Sequence, residues 1–91
     1  MGEVSYKLMR VVILRHIDKG VKECAKLYAA KAKQFPLDDP DNIAKLLSLS
    51  VELTQECNRI ALNILEQYPV EVEGDPVLQE YKKDLLKNGT K

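Results

Sequence analysis

The sequence predicts an all-α fold: a long helical hairpin followed by a short C-terminal helix. Three observations carry this reading. Two Asp-Pro pairs, Asp39-Pro40 and Asp75-Pro76, each set a capping side chain before a proline suited to the first helical position. The stretches before and between them carry apolar residues at helical spacing. The 91 residues are 45% hydrophobic and 31% charged, too apolar to stay solvated as a disordered chain and too few for more than one domain. Residues 1–91 are therefore expected to form a single helical domain.

The first helix is expected over about 4–35. It ends at Phe35-Pro36 because the residue before a proline is biased away from helical geometry. From Leu14 onward it has an apolar stripe: Leu14, Ile17, Val21, Cys24, Tyr28, Ala32 and Phe35. Its first part is less regular. Val4, Leu8, Met9 and Val11 to Leu14 point all round the helix, Val11-Val12-Ile13 is β-branched, and Gly20 offers a break. The alternative is an α+β fold, with a strand over about 7–14 pairing near 68–73, where Pro69-Val70-Glu71-Val72-Glu73 alternates.

The second helix is expected over about 40–68. At 100° per residue, Lys45, Ser48, Glu52, Gln55, Glu56, Arg59, Asn63 and Glu66 share one polar arc. The apolar remainder covers more than half the circumference, wider than one partner helix can cover. Leu46, Leu49, Leu53, Cys57, Ile60, Ile64 and Tyr68 recur at eleven-residue spacing, which suits a nearly straight helix better than a heptad supercoil. The third helix, about 76–88, carries Val77, Leu78, Tyr81 and Leu85, and Asn88-Gly89 stops it.

At about 1.5 Å per residue the first two helices would be roughly 40–48 Å long. The third is short enough to cover one end only. The expected resolution is a homodimer, two hairpins packed as a four-helix-type bundle, with Leu46, Leu49, Leu53, Cys57, Ile60 and Ile64 at the interface. Small residues at Ala25, Ala29, Ser50 and Thr54 permit close helix approach.

The formal net charge is zero, but the charges are segregated. Residues 1–35 hold eight bases and three acids, a net of +5; residues 36–80 hold two bases and ten acids, a net of −8; residues 81–91 hold four bases and one acid, a net of +3. Arg15, Lys19, Lys22, Lys26 and Lys33 fall within about 60° on the first helix, opposite its apolar stripe. They form either a solvated face, partly neutralised by the acidic second helix, or a ridge for phosphates.

The two cysteines, Cys24 and Cys57, lack the close spacing of a zinc or redox motif and read as core thiols, or else as a bridge between helices or subunits. The single histidine, His16, lies off the apolar stripe, and no metal-ligand spacing surrounds it. Met1 to Arg10 has no signal-peptide pattern. The longest wholly apolar run, Val11 to Leu14, is far below a membrane span. The cytoplasm is the expected compartment.

Arg10 and His16, in Arg-Val-Val-Ile-Leu-Arg-His, have a spacing that resembles the Arg-x4–6-His motif of HEPN-type ribonucleases. That resemblance implies a dimer cleft in which His16 helps move the proton of a ribose 2′-hydroxyl. Nucleophile elbows and glycine-rich phosphate loops are missing from the sequence. The expected function is accordingly non-enzymatic, through self-association and binding of a protein partner, with no catalytic residues, metal, cofactor, small-molecule substrate or membrane. The main alternative is nucleic-acid binding through the basic ridge.

Overall fold

The structure, a computed structural model, describes residues 2–89 and the side chains of residues 7–88. It is all-α. The helices are α1 (Gly2–Ala32), α2 (Pro40–Glu66), α3 (Pro69–Glu73) and α4 (Pro76–Gly89), and the described residues contain no strand. None of these helices is long and apolar enough to cross a membrane. α1 and α2 form an antiparallel hairpin, and α3 and α4 fold back against its open end, called the base below.

Both Asp-Pro pairs act as expected. Asp39 accepts the Asp41 N–H on its side chain at 3.0 Å, with Pro40 opening α2. Asp75 accepts the Val77 N–H at 3.0 Å, with Pro76 opening α4. The α1–α2 loop is held by Asn42, a buried side chain whose amide donates to the Pro36 carbonyl at 2.8 Å. The Lys45 ammonium also lies over the Phe35 ring.

Two expectations need correction. The α+β alternative fails, because residues 7–14 lie inside α1 and residues 69–73 form α3. The Pro-Val-Glu-Val-Glu alternation therefore does not mark a strand. Pro69 presets the first helical φ and Val72 is the one residue of the turn that is buried, so a single helical turn satisfies the segment. The start of the α1 stripe is also shifted by one residue: Ile13 is buried and Leu14 exposed, while from Ile17 onward the stripe holds, with Ile17 and Cys24 buried and Val21, Tyr28 and Ala32 half-buried. Gly20 lies on this line and does not break the helix: a Cβ there would sit 3.0 Å from Ile60 Cγ2. The missing side chain lets α1 and α2 approach closely, so the face holding Gly20 turns toward α2. Val4, placed in the apolar N-terminal group above, lies outside the described side chains.

The core is confined to the base. It comprises Ile13, Ile17, Ala61, Ile64, Leu65, Val72, Leu78 and Leu85, with Val21, Ile60, Leu62, Tyr68 and Tyr81 packed against it. Beside it sits Asp75, 1% exposed. Its carboxylate accepts two bonds from Arg10, Nε to Oδ2 at 2.7 Å and Nη2 to Oδ1 at 2.9 Å. The guanidinium, first through these hydrogen bonds, holds the Asp75 carboxyl below its ordinary value. One side chain thus caps α4 and ties it to α1 across 65 positions of sequence.

A carboxyl whose folded-state pKa is depressed contributes stability that is complete above its unfolded value and is lost as pH falls toward the folded one. The midpoint of thermal unfolding should therefore fall as pH is lowered through and below about 3.8. In Arg10→Met the midpoint is lower at neutral pH, because the buried carboxylate loses its partner. The extra drop on acidification is then reduced. Equal acid dependence in the two proteins would contradict this role for Arg10.

Candidate association surface

The distribution of burial divides the hairpin in two. Among the described side chains, every buried apolar one lies within residues 13–24 or 61–85, and none lies between 25 and 60. The loop-proximal half is therefore a pair of helices with no third layer. The radius of gyration of the whole chain fits this picture: 16.5 Å, against about 12 Å for a compact chain of this length.

On one side of that half, Ala25, Tyr28, Ala29 and Ala32 of α1 and Leu46, Leu49, Ser50 and Leu53 of α2 line a shallow groove of about 230 Å³. The short side chains at Ala25, Ala29, Ala32 and Ser50 leave this space. It is smaller than a typical ligand pocket of about 300–1,000 Å³. Next to it on α2 run Ile43, Leu47 and Val51, 49%, 63% and 58% exposed. At 100° per residue this line shares its face with Ser50, Thr54, Ala61 and Leu65, and no residue of that arc is charged. Ala61 and Leu65 are buried in the basal core with Leu78 and Leu85 of α4. The surface that α4 covers at the base thus continues uncovered toward the loop.

The six residues expected at a dimer interface fall into three settings. Leu46, Leu49 and Leu53 are half-buried in the groove. Cys57 lies beside Cys24 in the α1–α2 seam. Ile60 and Ile64 lie against Gly20, with Ile64 buried. Ile43, Leu47 and Val51 were not singled out from the sequence. Their signal was the width of the apolar arc, which could not say which part α1 would occupy.

The basic ridge is solvent-facing. Arg15, Lys19, Lys22, Lys26 and Lys33 are all exposed. Lys22 Nζ lies 2.9 Å from Asp18 Oδ2 within α1, and among the described residues none of the five forms a salt bridge with α2. Arg59 of α2 pairs locally with Glu56, at 2.6 Å. The acidic second helix therefore leaves the ridge unneutralised by direct contact.

Arg10 and His16 are not brought together. Six positions on a helix separate them by about 120° around the axis. Arg10 is engaged by Asp75, while the exposed His16 ring meets Tyr68 edge-on with centroids 6.4 Å apart. Among the described residues there is no group of three or more His, Cys, Asp or Glu able to hold a metal. Comparison of the chain with protein-family models, curated proteins and solved structures finds no match.

Proposed function

We propose that the protein works by association and not by catalysis: it forms a homodimer through the uncovered half of its hairpin, and the dimer binds a protein partner. The observation that carries this reading is the absence of any buried apolar side chain between residues 25 and 60, on helices that expose Ile43, Leu47 and Val51 there. Two helices alone cannot bury such surface; a further layer can.

A second copy of the chain fits that layer. Ile43, Leu47 and Val51 are evenly spaced, so a two-fold axis through Leu47 sets Ile43 of one copy against Val51 of the other in an antiparallel arrangement. The surface is thus self-complementary, as an isologous interface requires. The lack of charge along the arc suits the core of a homodimer interface, where charged residues are depleted. The grooves beside the line, floored by alanine and serine, would receive aliphatic side chains from the other copy.

Sedimentation at tens of micromolar should give the mass of a dimer. Leu47→Glu should sediment as a monomer with unchanged helix content, because Leu47 is 63% exposed and contributes little to the isolated chain. A wild-type monomer at that concentration, or a dimer that persists in Leu47→Glu, would overturn the proposal.

One observation favours a second reading, nucleic-acid binding: the five ridge bases face solvent without salt bridges to α2. Five phosphate contacts would make the logarithm of duplex-DNA affinity fall with log salt at a slope of about −4.5. Replacing Lys19 and Lys26 by Glu should then remove retention on heparin. Salt-insensitive behaviour of both proteins would exclude this reading.

A further inference from the structure

The antiparallel register of α1 and α2 sets the two cysteines against each other. Gly20 faces Ile60 and Ile64, with the latter's Cδ1 3.7 Å from the position of an added Cβ. Moving one turn toward the loop on each helix, four residues along α1 from Gly20 and three back along α2 from Ile60, brings Cys24 opposite Cys57. The two thiols are neighbours there: Cys24, buried, is among the groups that act on Cys57, which is half-buried. Both are free.

Close packing of two helices brings facing residues within disulfide reach. Helices that pack closely have axes about 8–10 Å apart, with each Cα about 2.3 Å off its axis. Facing Cα atoms on the line of closest approach are then roughly 3.4–5.4 Å apart, and slightly off that line somewhat farther. A disulfide needs about 4.4–6.8 Å. Gly20, one turn away, permits close approach at this level, and Ala25 and Ala29 add no bulk beside it.

We infer that Cys24 and Cys57 form a dithiol site that a small-molecule disulfide oxidises to an intrachain cross-link. Cys57, the more exposed thiol, attacks one sulfur of the oxidant as the thiolate and expels one small thiol, leaving a mixed disulfide on Cys57. Cys24, as the thiolate, then attacks Cys57 Sγ and expels the second small thiol. The oxidant's disulfide is reduced to two thiols, which receive the two protons given up by the cysteines, and one protein disulfide is formed.

The location gives the bond a consequence. Cys24 is the last buried apolar residue of α1 before the uncovered half begins. The cross-link closes a ring through the whole loop-proximal half and fastens α1 to α2 where core packing stops. Because it restricts the unfolded chain, it raises thermal stability. It needs no second copy, so it stands independently of the proposed dimer.

The test uses oxidised glutathione in excess at neutral to mildly alkaline pH, followed by alkylation and intact mass measurement. The expected product is a chain lighter by about 2 Da with no alkylated cysteine, running as a monomer on a non-reducing denaturing gel. Its unfolding midpoint should rise by roughly 5–15 °C and return on reduction. Cys24→Ser should instead hold one glutathione on Cys57, and Cys24→Ala serves if the serine variant misfolds. Stable glutathione adducts on the wild-type chain, covalent dimers, or two thiols still open to alkylation would each overturn the inference.

Discussion

The Arg10–Asp75 pair is the constraint on which the base of this fold depends. A carboxylate that is 1% exposed pays a large desolvation cost, and this one is compensated three ways. Two bonds come from one guanidinium and one from the first turn of α4. The planar fork of arginine suits this bidentate geometry in a way that lysine could not. Because the pair spans α1 and the start of α4, it fixes where α4 begins, and hence which side of α2 it covers. α3 is too short to orient α4 alone; its contribution is Val72 in the core and the Glu73 carbonyl, which accepts from the Gln79 side chain.

Fixing α4 at the base has a cost elsewhere. A helix of 14 residues spans about 21 Å, while α2 has 27 residues and α1 has 31. The remainder of the hairpin is held by its own seam, by the Asn42 and Lys45 contacts at the loop, and by half-buried Leu46, Leu49 and Leu53. Local stability follows buried apolar contact, so the base should be the more stable end and the loop-proximal half the one that gains from added contacts. The proposed dimer and the cysteine cross-link both act on that half, one by covering it and the other by tying its two strands of helix together.

Much of this was legible in the sequence because it is encoded locally. The Asp39-Pro40 and Asp75-Pro76 caps, the long second helix and the excess width of its apolar arc all follow from residues within a few positions of one another. The charge segregation was visible too, but its direction was not: only the packed chain places the ridge away from α2. The Arg10–Asp75 bond was illegible because nothing local marks a partner 65 positions away. Asp75 looked equivalent to Asp39, although one cap is buried and the other exposed. Gly20 was ambiguous for a related reason. In sequence a glycine inside a helix suggests a break, and its use as a point of close contact appears only once Ile60 is opposite it. The same limit applied to the candidate surface, where periodicity identified an apolar arc but could not divide it between the seam and the outside.

Hydrogen exchange followed by mass spectrometry at rising protein concentration resolves the two halves of the hairpin separately and so reports whether a second copy covers one of them. Peptides from the base, residues 10–20 and 60–86, should show strong, concentration-independent protection. Peptides covering 25–57 should exchange faster when dilute and become protected as concentration rises into the tens of micromolar. Uniform protection of both halves in dilute solution, or exchange in 25–57 that does not respond to concentration, would contradict a hairpin that is covered at its base and completed at its other end by a second copy.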